Sequence, residues 1–213
     1  MSATRRPLSA KTSRGQVRRR ELLEEAARIL LRDGLEGASM DLIALEAGAS
    51  KATLYRHFGD RNGLLVEVVQ YLCDDFIADV DRTMAPGTDL QSGLVAVLMQ
   101  LVHVLGKPNH PAFFRLIVAA SQRDPTIGKT WYDYGPLVWH AMLDQVFKAQ
   151  RSAGRLSADA DWTSYPEMLF NAVFSDMVVR TALLGDDVHA MPLPMRDINR
   201  IVMTVVSGLN ADG

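Results

Sequence analysis

Cysteine is nearly absent from this 213-residue chain: Cys73 stands alone, so no internal disulfide can form. Long apolar runs are missing too. The longest, such as Leu94 to Met99, reach about six residues, against the ~18 to 20 that a membrane-spanning helix needs. Arg5 and Arg6 are followed by no apolar stretch of the kind a secretory signal carries, so a cytoplasmic protein with no membrane partner is expected. Acidic residues are absent from the first 20 positions, which hold Arg5, Arg6, Lys11, Arg14, Arg18, Arg19 and Arg20. The rest of the chain must then carry −9 to reach the net charge of −2. A basic end on an acidic body suits a protein that presents one end to a polyanion.

Enzyme signatures are also missing. No P-loop, Gly-x-Gly-x-x-Gly after a strand, Gly-x-Ser-x-Gly, His-Glu-x-x-His or paired Cys-x-x-Cys occurs. Asp74, Asp75, Asp79 and Asp81 read as a solvated helix face, and His103, His110, His140 and His189 lack metal-ligand spacing. Neither catalysis, a metal nor a cofactor is expected. The aspartates beside Cys73 disfavour its thiolate and with it a redox role.

What is present is helical periodicity. No segment alternates as a strand would, and the pattern predicts an all-α fold of roughly nine helices. From about Gln16, Leu22, Ala26, Ile29 and Leu30 share one face, Glu24 and Arg28 are spaced for an ion pair, and Gly34 supplies the stop. Ser39 offers an N-cap to a short helix from Met40 to about Ala47, which Gly48 ends. Ser50 then caps Lys51 to Phe58, with Leu54 and Phe58 facing inward. Two such helices joined by a tight turn form a helix-turn-helix unit, the arrangement that lays its second helix in a DNA major groove. Lys51, Thr53, Tyr55, Arg56 and His57 supply donors for base edges or phosphates, and small Ala49 and Ala52 let the backbone approach. A plain helical hairpin with a polar face would give the same pattern.

The stretch AARILLRDGLEGASMDLIALEAGASKATLYRHFGDRNGLL, within Arg19 to Leu65, resembles the DNA-binding domain of the TetR family of bacterial transcriptional repressors. The likeness rests on the glycine ending the first helix, the Ala-Gly-Ala-Ser turn, the Leu-Tyr-x-His-Phe core of the second short helix and a basic residue opening the next one. It implies that Ser39 and Tyr55 bind phosphates, that His57 and Arg61 anchor the backbone beside them, and that Ala49, Lys51, Ala52, Thr53 and Arg56 face bases. Ser50 is left between base contact and its N-cap role. Arg61 stands where the family more often has lysine, and Gly63 where a helix former is usual, a change that loosens the helix start by about 1 kcal/mol. The expected organisation is a basic arm at 1–15, a helix-turn-helix domain at 16–62, and an effector-binding and dimerisation domain at 63–213.

The second domain reads as further helices. After Arg61 a seam of Leu65, Val68, Leu72, Phe76 and Val80 runs to Met84. Later stretches cover about Asp89 to Leu105, Pro111 to Gln122, Thr126 to Arg151, Ala158 to Leu184 and Pro194 to Leu209. Gly135-Pro136 must kink or split the third of these, and a kink is favoured. Aromatic and polar side chains here make candidate effector contacts: His103, Phe113, Phe114, Ile117, Trp131 and Tyr134, then Trp139, Met142, Phe170, Asn171, Phe174 and Met177. For any single aromatic among them, core filling is the commoner role. One stripe of Trp162, Tyr165, Leu169, Val173, Met177, Arg180 and Leu184, and another of Ile198, Val202, Val205 and Leu209, pack either within the chain or against a second copy. The resemblance implies the latter, in a four-helix bundle. It also implies a homodimer that holds a palindromic double-stranded operator and releases it when a small apolar or amphipathic effector binds. The contrasting readings are a constitutive or architectural DNA-binding protein and, more distantly, a helical enzyme.

Overall fold

The computed structural model describes residues 14–82, 87–184 and 195–211, which form helices and, among these residues, no strand. The basic arm lies outside the described residues but for Arg14 and Gly15, which open the first helix. The helices are α1 (Arg14–Gly37), α2 (Met40–Glu46), α3 (Lys51–Phe58), α4 (Arg61–Phe76), α5 (Leu90–Leu105), α6 (His110–Ser121), α7 (Pro125–Tyr134), α8 (Pro136–Ser152), α9 (Tyr165–Leu184) and α10 (Met195–Ala211). Counting α7 and α8 as one rod broken at Gly135 gives the nine expected from periodicity. The break is a split, not the kink favoured from sequence. Gly135 sits at φ −111° and ψ −90°, and Pro136 has no N–H with which to continue α7.

The chain divides into two compact units, Met1–Val68 and Val69–Gly213, where the sequence pattern places the boundary at 62/63. In the first, Leu22, Ala26, Ile29 and Leu30 of α1 are buried, as are Ile43 of α2, Leu54 and Phe58 of α3, and Leu64, Leu65 and Val68 of α4. Gly34 interrupts α1 at φ 70°, a region that side chains rarely adopt, which accounts for the glycine at this stop. The Glu24–Arg28 pair expected on α1 is not made. Glu24 pairs with Arg20, and Arg28 turns to Glu25 and to Glu46 of α2. Arg32 also reaches Glu46, and the two guanidinium groups, Arg32 first, hold the Glu46 carboxyl below its ordinary range. A carboxylate on a neighbouring helix here outcompetes the i,i+4 partner.

In the second unit α5 is the hub, packed against α8, α9 and α10. Its Asp89 cap accepts the Ser92 N–H at 2.9 Å. α4 ends at Phe76, short of the seam drawn to Val80, and the Lys107 ammonium caps the Phe76 carbonyl at 3.0 Å. α9 starts at Tyr165, so the helix expected from Ala158 is absent over 158–164. Trp162 explains the difference. Its ring stacks on Phe147 at 5.7 Å, its indole N–H donates to Asp144 at 2.9 Å, and the Arg151 guanidinium lies 3.9 Å above it. Docking this one large side chain outweighs a weak local preference for helix. No single described helix is long and apolar enough to cross a membrane.

Candidate functional site

Two caps and two arginines fix the helix-turn-helix. Ser39 Oγ accepts the Leu42 N–H at 3.1 Å at the start of α2, and its own hydroxyl proton remains a donor for a phosphate. Ser50 Oγ accepts the Thr53 N–H at 3.1 Å and shares a hydrogen bond with Thr53 Oγ1 at 2.9 Å. Of its two readings the N-cap is therefore the one seen, and the Thr53 hydroxyl is engaged with it. Arg18 donates to the carbonyls of Ala47 at 2.8 Å and Gly48 at 3.1 Å, tying α1 to the turn itself. Nothing in local sequence spacing reveals that partner.

Arg61 is the second arginine. Expected to anchor the DNA backbone, its guanidinium instead donates to the carbonyls of Leu35 and, at 3.3 Å, Ala38. The end of α1 leaves carbonyls without helical partners, and a half-buried cation answers them. Arg61→Ala is therefore expected to lower the stability of the first unit by about 1.5–3 kcal/mol, the worth of a hydrogen bond to a charged group. Thermal melting checks this, and unchanged stability with a flattened salt dependence of DNA binding would return Arg61 to a phosphate. Gly63 is corrected in the same way. A Cβ there would lie 2.2 Å from the Phe58 carbonyl oxygen, so close approach requires the glycine, while Asp60 accepts its N–H at 2.8 Å.

The face of α3 expected to meet DNA is open to solvent. Ser50, Lys51, Ala52, Tyr55 and Arg56 are exposed, and Ala49, Thr53 and His57 are half-buried. Leu54 and Phe58 point inward, with the Arg19 guanidinium 5.1 Å from the Phe58 ring. Lys51 pairs with Asp41 of α2 at 3.0 Å, a hydrogen bond that pushes the ammonium pKa up. Among the described residues Arg56 has no carboxylate or carbonyl partner, unlike Arg18, Arg19, Arg28, Arg32 and Arg61. Asp41 was not among the expected site residues; an acid in the first turn of α2, near the start of α3, was its only sequence signal.

In the second unit the twelve expected effector contacts separate. Phe113, Trp131, Trp139, Phe170 and Phe174 line a cavity of about 30 Å³, with Phe76, His110 and Pro136. Phe114 closes on it from behind, 5.8 Å from both Trp131 and Phe174. Met142 lines a different space, a cleft of about 820 Å³ between α5 and α8 walled by Val97, Leu137, Val138 and Ala141 with Gln100, Asp133 and Gln145. Ile117 and Met177 are buried and line neither cavity, and His103, Tyr134 and Asn171 are exposed and line neither. Helical spacing gives a residue's angle on its own helix but not which neighbour that angle meets, which is why these five lie apart from both cavities. His140 is not one of the twelve. Its ring sits 5.0 Å from Phe170, its Nε2 is buried with no hydrogen-bond partner among the described residues, and burial pushes its pKa down, with Glu167 opposing. Burial likewise pushes the Cys73 thiol up to about 12, with Asp74 a lesser cause.

Most residues of the stripes expected to face a second copy are interior. Leu169, Val173, Met177, Ile198, Val202, Val205 and Leu209 are buried within the second unit, Tyr165 stacks near Phe147 at 6.4 Å, and Arg180 pairs with Asp176 at 3.2 Å. Trp162 is pinned on α8, and the Leu184 side chain lies outside the described residues. Among the described residues the large apolar side chains exposed on α9 are Met168, Val179 and Leu183, and those on α10 are Met195 and Met203.

Comparison with known proteins adds to this geometry. A model described as bacterial regulatory proteins, tetR family, matches residues 22–68, and one described as the C-terminal domain of AefR-like transcriptional repressors matches residues 92–206. The DNA-binding transcriptional repressor TetR of Mycobacteroides abscessus is 28% identical over 115 residues, 54% of this chain and 58% of that protein. The chain spans about half the length of the curated relatives it matches. Among solved structures, the flavonoid-responsive regulator FrrA superposes with a TM-score of 0.70 at 23% identity, covering 91% of this chain and 95% of that one, a likeness of fold. A TetR transcriptional regulator from Agrobacterium tumefaciens gives 0.67 at 26% identity, over 89% and 93%.

Proposed function

Because this chain belongs to the TetR family of bacterial regulatory proteins, we propose that it is a DNA-binding transcriptional repressor, a homodimer that holds a palindromic operator and releases it when a small apolar or amphipathic effector binds the second unit. The observation that carries this reading is the solvent-facing surface of α3, where Lys51, Ala52, Tyr55 and Arg56 stand free of the core, together with the exposed Ser39 that caps α2. One such helix reads one half-site, so two copies are needed. Met168, Val179 and Leu183 of α9, with Met195 and Met203 of α10, are the apolar surface offered to the second copy.

For the effector, the cleft of about 820 Å³ has the size of ordinary ligand sites, whereas the aromatic cavity of about 30 Å³ has room for a water molecule until its walls move. The resemblance of fold to a flavonoid-responsive regulator makes planar aromatic compounds a reasoned first panel. Whatever the compound, it releases DNA only to the extent that it binds the released state more tightly than the DNA-competent one.

The test starts from a duplex that the protein itself selects from a random pool, measured by fluorescence anisotropy beside a scrambled duplex over a salt series. Arg56→Ala is expected to cost about 1–3 kcal/mol on the selected duplex and much less on the scrambled one. Equal, steeply salt-sensitive binding of both duplexes by the unaltered protein would favour an architectural role instead.

A further inference from the structure

Lys51 is the first residue of α3, where the helix dipole opposes a positive charge. In the free head that ammonium is answered by Asp41, 3.0 Å away on the first turn of α2. Both groups are largely open to solvent, the lysine side chain at 47% and the aspartate at 73%, so the pair is exchangeable and not a buried tie. The first residues of a recognition helix are those that reach base edges. With three N–H donors the ammonium can keep Asp41 and still donate to a base acceptor in line with it, whereas swinging aside to a phosphate breaks the pair.

We propose that Asp41 is a specificity-determining residue of the reading head: it holds Lys51 back from phosphates at large and presents it to a base acceptor, such as guanine O6 or N7, that stands in register. This inference rests on the DNA-binding reading above. On unmatched DNA the lysine would exchange one anion for another with no gain, and the Asp41 carboxylate, at the same surface, repels the phosphates. On a matched site the base acceptor takes a second N–H of the ammonium while Asp41 keeps the first, so the pair is not lost there and the docked helix adds its other contacts. Asp41 thus acts mainly by lowering non-specific affinity, the repulsive half of discrimination. Sequence preference is then set by two residues on different helices, only one of which touches a base.

The experiment uses the full chain with Asp41→Asn, Lys51→Met and the double variant, each measured by anisotropy on the self-selected duplex and on its scrambled counterpart from low to physiological salt. Asp41→Asn keeps the shape of the side chain, and circular dichroism confirms that α2 stays folded. Its affinity for the scrambled duplex is expected to rise about two- to fivefold, the scale of an exposed ion pair, and its salt slope to steepen by about 0.9 for one more cation engaged. Affinity for the selected duplex should change less than twofold, so the ratio between the two falls. In the Lys51→Met background the same aspartate change should leave that ratio unaltered. An equal gain on both duplexes, or the same fall in ratio without Lys51, would reduce Asp41 to a bystander charge and overturn the proposal alone. Failure of the unaltered protein to enrich any duplex would overturn the DNA-binding reading and this inference with it.

Discussion

Val179→Glu is expected to yield a folded monomer that has lost at least about 100-fold in affinity for a duplex with two half-sites while binding a single half-site as before. Val179 is 52% exposed on α9, between Met168 at 54% and Leu183 at 77%, and these apolar side chains have no cover among the described residues. In a twofold interface the same patch meets itself, so one substitution places two carboxylates in the contact, where burial and repulsion both oppose association. The size of the effect follows from linkage of two heads: once one is bound, the second binds at an effective concentration that free monomers cannot match. Light scattering coupled to size exclusion should move from twice the 23.5 kDa chain mass to a single copy.

The neighbouring position distinguishes this surface from the one read off the sequence. Leu169 is fully buried, one residue from exposed Met168, and Leu169→Glu should unfold the second unit instead of dissociating two intact copies. A folded, monomeric Leu169→Glu together with a dimeric Val179→Glu would reverse the assignment.

That contrast also locates where sequence stops being informative. α9 is apolar nearly all round, burying Leu169, Val173 and Met177 while exposing Met168, Val179 and Leu183, so periodicity alone offers two seams and no means of choosing. The α3 helix is the opposite case. Its cap at Ser50 and its inward Leu54 and Phe58 are local signals, and the observed Lys51–Phe58 matches the span expected from them. Long cations fall between. Arg61 carries the right charge at the right helix start for a phosphate, yet the carbonyls it satisfies belong to Leu35 and Ala38, 26 and 23 residues away in sequence. The break after Tyr134 was legible as a Gly-Pro pair, but whether it bends or splits the rod depends on what packs there.

Phe113→Ala bears on the aromatic cavity and carries the largest expected loss of stability. Phe113 is 2% exposed, packs on Phe76 at 5.3 Å and forms part of the wall of the 30 Å³ space. Truncating it should cost about 3–5 kcal/mol, because a phenyl ring is lost from a site whose neighbours relax only in part. The void left, on the order of 150 Å³ and lined by Phe76, Leu101, Trp131 and Trp139, is of the kind that stays dry and takes up a benzene-sized molecule. Benzene at about 100 times its dissociation constant should then restore about 2.7 kcal/mol, read as a rise in melting temperature that the unaltered protein does not give. If that space is where an effector lodges, the filled variant should also bind the selected duplex less tightly than the empty one, since occupation and DNA would favour different states of the second unit. Recovery of stability without any change in DNA binding would leave the larger cleft between α5 and α8 as the effector site. The same titration thus separates the two cavities: one is small and walled by Trp131, Phe170 and Phe174, the other is open and walled by Val97, Val138 and Met142.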